Sequence, residues 1–124
     1  QTVPVHAMHD PTEGGVATAL HELAWAAKVG VEVWAEAIPV LPACQSLCHA
    51  FGLDPLGLIA SGALLVVVAP PDADVLEGRY RAAGMTATRI GVLTEPEHGV
   101  RMRRGSTEEP LPRFDRDEIT RVLV

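Results

Sequence analysis

Within eight consecutive residues, His9-Asp10-Pro11-Thr12-Glu13-Gly14-Gly15-Val16 collects an imidazole, two carboxylates, a hydroxyl and two glycines. A polar turn of this kind ahead of a helix suits anion chemistry. The first N–H groups of a helix lack intrahelical partners and sit at the positive end of its dipole, and glycine removes the side chains that would hold an oxygen away. The N–H groups of Gly14, Gly15 and Val16 are therefore expected to face an anion, and a branched side chain at Gly15 to block it while sparing the fold. Asp10 or Thr12 is expected to cap the helix. Asp10 and Glu13 have the chemistry to orient Mg²⁺ or a substrate hydroxyl, and His9 to donate to a phosphate or move a proton. The same residues equally satisfy a plain strand-to-helix turn, with glycine setting its shape and the acids capping the helix.

The elements that must position this turn follow from hydrophobic spacing. Val3, Val5 and Ala7 alternate with Pro4, His6 and Met8 as a short strand, and Val16, Leu20, Leu23 and Ala27 mark one face of a helix from Gly14 to Lys28, closed by Gly30. Val31, Val33, Ala35 and Ala37 alternate with Glu32, Trp34 and Glu36, a strand buried on one face. Ala43 to Phe51 reads as a short helix ending at Gly52, and Leu53 to Ile59, broken by Pro55 and Gly57, as a turn. Ala63 to Ala69 is apolar without alternation, which predicts a central strand covered on both faces. A helix over Asp72 to Ala83, capped by Asp72 and stopped by Gly84, leads to strands Thr88–Leu93 and Gly99–Arg103. These are expected to pair as a hairpin, with Arg101 and Arg103 on one face. Gly105 to Pro112 is expected to be an exposed loop, and Asp115-Arg116-Asp117-Glu118 to open a short terminal helix. The sum is an α+β fold, a mixed sheet with packed helices, in one domain over residues 1–124.

Other candidates are weaker. Cys44 and Cys48 lie one helical turn apart, but His49 projects about 100 degrees from Cys48 and no second cysteine pair exists, so no zinc site is expected. A core role suits them better. His6 and His9, three apart on a strand, point to opposite faces. Neither a Ser-His-Asp pattern nor a Walker loop occurs. Trp25 and Trp34 suit either an interface or partial burial against the sheet.

A net charge of −6 over 124 residues and a pI near 5.2 argue against a general nucleic-acid or acidic-membrane binder. The two cysteines are poorly spaced for a disulfide, and the longest apolar run, Ala63 to Ala69, falls far short of the roughly 20 residues of a membrane span. The expectation is a cytoplasmic protein without nucleic-acid or membrane partners.

Met8 to Ala24 resembles the opening of the C-terminal domain of the AIR synthase (PurM) superfamily, most closely its HypE-like hydrogenase maturation members. Ala37-Ile38-Pro39-Val40, then Cys48 to Leu56, then Ser61-Gly62 running into Ala63–Val68 are similar to that domain's next landmarks, in the same order. The resemblance implies a layered PurM-type domain and a cleft lined by His9, Asp10, Thr12, Glu13, Gly14, Gly15, Ser61 and Gly62 that meets phosphate, nucleotide or substrate. Ser61-Gly62 also reads as an ordinary turn before a strand. The resemblance further implies ATP and Mg²⁺ bound mainly by an N-terminal ATP-binding domain, phosphorylation of an amide or acyl oxygen, and a homodimer. Only eight residues precede the His-Asp motif, so the chain is expected to be the C-terminal half of such an enzyme and inactive alone. HypE-like members dehydrate a thiocarboxamide on their own terminal cysteine to a thiocyanate. Thr120-Arg121-Val122-Leu123-Val124 contains no cysteine, so that reaction is not expected of this chain. The alternative is a non-catalytic domain that keeps the fold to bind a small anion or for assembly.

Overall fold

A computed structural model describes residues 2–123; Val124, which closes the cysteine-free terminal stretch, lies outside the described residues. The first alternation forms β1 (Val5–His9), and the polar turn feeds α1 (Gly15–Ala27). Ala17, Leu20 and Ala24 are the α1 residues that enter the core cluster, so the buried face is rotated by about one residue from the Val16, Leu20, Leu23, Ala27 stripe. Small alanines fit that closer approach, while Val16 packs at the cluster's margin. Helix α1 stops at Lys28, whose left-handed conformation (φ 57°) turns the following Val29 N–H back to the Ala24 carbonyl at 3.1 Å, rather than at Gly30. Gly30 instead opens β2 (Gly30–Trp34), where a Cβ would collide with Thr94 and the carbonyls of Glu95 and Gly99.

Strand β2 buries Val31 and Val33 and ends sooner than the alternation suggests, in a single turn over Ala35–Ala37. Helix α2 (Pro42–Phe51) ends on Gly52 as its spacing predicts, and Pro55–Gly57 makes one helical turn. The apolar run does not become a central, doubly covered strand. Only Leu65–Val68 forms β3, and it pairs with β1 alone, antiparallel in a two-stranded ribbon, half-buried throughout. Branched apolar residues set the extended conformation, but they do not dictate how many partners a strand finds.

Helix α3 (Pro70–Ala82) begins two residues before the expected Asp72, because Pro70 and Pro71 fit the first helical turn, where no amide hydrogen is needed. Asp72 lies in that turn and makes no capping bond. β4 (Gly91–Thr94) and β5 (Val100–Arg104) are strands, as their composition predicts, yet they are not a hairpin. β2 lies between them, antiparallel to β4 and parallel to β5. The Gly105–Pro112 segment is not a loop either: β6 (Thr107–Pro110) pairs antiparallel with β5 around Gly105-Ser106, with Gly105 at φ 59°. Its four residues are exposed, and it is the short, charged edge of the order β4-β2-β5-β6. Arg101 and Arg103 occupy the outer face while Met102, between them, is buried with Val31, Val33, Leu56 and Leu111. The terminal helix is a single turn, Glu118–Arg121, begun by Asp117. Among the described residues, two sheets and three α-helices make an α+β fold.

Candidate functional site

The polar turn leaves β1 with its side chains turned to the rim and its glycines turned inward. His9 Nε2 lies 3.3 Å from Glu22 Oε2, about two turns into α1. Pro11 is fully buried and anchors the turn, whereas Asp10, Thr12 and Glu13 are exposed. The Thr12 carbonyl accepts two amide hydrogens, from Gly15 at 3.1 Å and from Ala60 at 3.3 Å. The second of these ties the Ser61-Gly62 turn to the first motif across almost fifty residues, so both motifs share one open edge. Ser61 is exposed, and Gly62 (φ 97°) has open space where a side chain would stand.

Beneath that rim the two glycine amides at the helix start are taken. Neither Asp10 nor Thr12 caps α1; Gly14 takes the N-cap position at φ 82° and has no side-chain cap. The Gly14 N–H instead donates to Asp117 Oδ2 at 2.7 Å, a buried bond. Gly15 (φ 68°) packs so tightly on the connecting turn that a Cβ would stand 2.4 Å from the Leu56 carbonyl oxygen and 2.6 Å from that of Leu58. The N–H groups of Gly14 and Gly15 thus have partners inside the chain, and a branched side chain at Gly15 is incompatible with the fold it was expected to spare. Thr18 Oγ1, buried beside Gly14, has no hydrogen-bond partner.

The closing segment is built from carboxylates. Asp117 Oδ1 accepts the Ile119 N–H at 3.0 Å, so one side chain caps the closing turn and holds the Gly14 amide ahead of α1. Glu118 Oε2 accepts the Asp54 N–H and the Arg121 guanidinium, both at 2.9 Å, and Asp54 in turn accepts the Leu56 N–H. Phe114 covers Gly57, whose missing Cβ would meet the ring at 2.5 Å. Residues 114–121 therefore clasp the turn that backs Gly15. The sequence shows Asp115 to Glu118 as a local capping pattern; the long-range role of Asp117 leaves no periodic signal.

Cys44 and Cys48 are free thiols with sulfurs 3.9 Å apart, Cys48 buried and Cys44 partly so. Burial first, then the neighbouring Cys44 thiol and the Asp54 and Glu118 carboxylates, push the Cys48 thiol up from its ordinary 9.0. Trp34 is half-buried and donates to Glu32, while Trp25 is 84% exposed. Trp25 borders a groove of about 660 Å³ with His21, Val29, Pro96, Pro112 and Arg113, none of them a residue of the polar turn. Among the described residues no helix is long and apolar enough to cross a membrane.

Residues 1–103 match the family described as AIR synthase related protein, C-terminal domain. The carbamoyl dehydratase HypE of Cupriavidus necator is 41% identical over 102 residues, which cover 80% of this chain and 29% of that protein. The crystal structure of E. coli HypE superposes with a TM-score of 0.86 at 30% identity, covering 98% of this chain and 38% of that one. A structure of hydrogenase maturation protein HypE in complex with ATP gives a TM-score of 0.82 at 29% identity over 91% of this chain and 37% of its own. The chain spans about a third of the length of these relatives. It belongs to the AIR synthase related proteins, matching their C-terminal domain, and is similar to HypE.

Proposed function

We propose that this chain is the C-terminal part of a HypE-like, ATP-dependent enzyme and that the edge shared by the polar turn and Ser61-Gly62 meets its phosphate or substrate. The observation that carries this is the Thr12 carbonyl, whose two hydrogen bonds bring together motifs far apart in sequence. The supporting comparison is with HypE, described in complex with ATP.

The rim's chemistry decides what it can hold. Asp10 and Glu13 are exposed carboxylates beside the His9–Glu22 pair, and the Gly14 and Gly15 amides are already used, so a bare anion meets mostly negative charge. A phosphate accompanied by a divalent cation fits better. Asp10 and Glu13 would hold Mg²⁺, which when bound supplies charge neutralisation for phosphate oxygens. Thr12 and Ser61 offer hydroxyls to orient the substrate, and His9, kept in place by Glu22, holds or moves a proton at Nε2. An N-terminal ATP-binding domain, in the same polypeptide or a separate subunit, is the partner in this reading, and the assembly is a cytoplasmic homodimer. The free thiols agree with a reducing compartment.

The non-catalytic assembly reading draws on one observation, the exposure of Val5, Met8 and Leu64 at the β1–β3 ribbon. Amide NMR with MgATP, with and without an added ATP-binding half, separates the two. The enzyme reading expects residues 9–13 and 60–62 to shift, and ATP turnover only when both halves are present. Shifts confined to the ribbon, without turnover, would support assembly instead.

A further inference from the structure

The outer face of the four-stranded sheet carries a cluster that the polar turn leaves unused. Glu32 stands between buried Val31 and Val33 and so projects to the opposite face, the one that carries Arg101 and Arg103. Glu108 joins from β6 and His98 from the single turn Pro96–His98 ahead of β5. His98 Nε2 lies 3.2 Å from Glu108 Oε1 and 3.8 Å from Glu32 Oε2, and one ligand atom from each residue lies within 4.8 Å of the others. We propose that Glu32, His98 and Glu108 form a binding site for a divalent transition-metal cation of the zinc type.

A tetrahedral ion with nitrogen and oxygen ligands at about 2.0 to 2.2 Å holds neighbouring ligand atoms about 3.3 to 3.6 Å apart. The two separations from the imidazole nitrogen, 3.2 and 3.8 Å, bracket that range, and the two carboxylate oxygens lie within 4.8 Å of each other, so ligation asks the side-chain ends to draw together around the ion. One imidazole and two carboxylates leave a further position open, and it faces water, since the His98 and Glu108 side chains are about one-third exposed. The frame is stiff: the Val31 N–H donates to the Gly99 carbonyl at 2.9 Å, which fixes the His98 turn against the central strand. Glu32 is also divided in use. Its Oε1 accepts from Arg103 Nε at 3.1 Å and Trp34 Nε1 at 3.2 Å, which leaves Oε2 turned toward His98, as supporting hydrogen bonds orient metal ligands elsewhere.

Two guanidiniums oppose the ion. Arg103 touches Glu32, and Arg101 Nε lies 3.5 Å from the Glu108 oxygen nearest His98. They compete with the ion for the same two carboxylates and so lower its affinity, Arg103 through the Glu32 oxygen turned away from His98 and Arg101 through the Glu108 oxygen turned toward it.

The test is calorimetric titration of the 124-residue chain with Zn²⁺ in a Cys44→Ser background, which removes the competing thiol pair, with Co²⁺ absorption as a reporter of coordination. One equivalent is expected to bind, with the affinity reduced at least tenfold in His98→Ala and in Glu108→Gln. The near-isosteric Glu108→Gln change on an exposed edge strand keeps the test sound should His98→Ala disturb the fold. Saturable binding that ignores both substitutions places the ion elsewhere and overturns the proposal. Absence of binding up to millimolar Zn²⁺ leaves only an ion-pair network and overturns it equally.

Discussion

Asp117 reaches across 103 residues of sequence to accept the Gly14 amide hydrogen at 2.7 Å. A glycine-rich helix start, which by its composition reads as an open anion site, is thus occupied by the chain's own carboxylate. The physical logic of the reading holds: unpartnered N–H groups at the positive end of a helix attract negative charge. What changes is the source of that charge, and four expectations follow from it and from the packing around it.

Asp117→Ala leaves the buried Gly14 N–H without an acceptor and removes the cap of the Glu118–Arg121 turn. Orphaning a buried donor costs about 1 to 3 kcal/mol and losing a cap about 1 kcal/mol more, so a loss of about 2 to 4 kcal/mol is expected in urea unfolding. A loss below 0.5 kcal/mol, on the order of an ordinary surface change, would show that water replaces the carboxylate without penalty.

Gly15→Val is expected to damage folding rather than ligand access. Its Cβ would enter the Leu56 and Leu58 carbonyls, and φ 68° already disfavours a branched side chain. Strain and displacement together are expected to cost about 3 kcal/mol or more. Gly62→Ala meets open space at φ 97°, and only the backbone preference, about 1 kcal/mol, opposes it. Thermal unfolding of the two variants side by side checks the contrast; equal loss would contradict it.

Much of the fold is legible because it rests on local periodicity. The alternation around Val31 and Val33 and the glycine stop at Gly52 each carry their own physical cause. The errors arise where a partner decides. β4 and β5 look like a hairpin since consecutive strands usually pair, and only the insertion of β2 between them, sealed by Val33 and Met102 in the core, shows otherwise. Thr107 to Pro110 carries turn-forming and acidic residues, yet its backbone pairs with Arg101 to Arg104, a contact that side-chain composition does not encode. The candidate site divides in the same way. His9 to Gly15 and Ser61-Gly62 are visible as motifs, whereas Asp117 and the Glu32–His98–Glu108 cluster exist only through tertiary contact.

Cys48 is expected to resist alkylation in the folded state while Cys44 reacts. Its thiol is held protonated above the ordinary 9.0, chiefly by burial. The folded state therefore binds this proton more tightly than the unfolded state does. The associated stability is complete below pH 9.0 and declines as pH rises from there toward the folded value. Iodoacetamide labelling at pH 8 followed by peptide mass analysis checks the order, and equal labelling of both cysteines would contradict it.

The last expectation returns to Asp117 and asks whether the end of α1 keeps its attraction for anions once the internal carboxylate is gone. Asp117→Gly exposes the Gly14 N–H and removes one negative charge, so phosphate or sulfate can enter the space the side chain leaves. Wild-type chain offers no such vacancy, since Gly14 is bonded to Asp117 and Gly15 to Thr12. Phosphate should therefore stabilise the variant more than the wild type. The gain is about 0.4 kcal/mol when the anion concentration equals its dissociation constant and rises logarithmically beyond that. A single helix end contributes at most about 2 kcal/mol, which places half-saturation at millimolar concentrations or higher. Thermal unfolding in phosphate and in chloride at matched ionic strength makes the comparison, because general salt effects act on both proteins alike. A phosphate response that is the same in variant and wild type would mean that Asp117 serves only as a structural cap, and that any phosphate contact of this chain lies outward at Thr12, Glu13, Ser61 and Gly62.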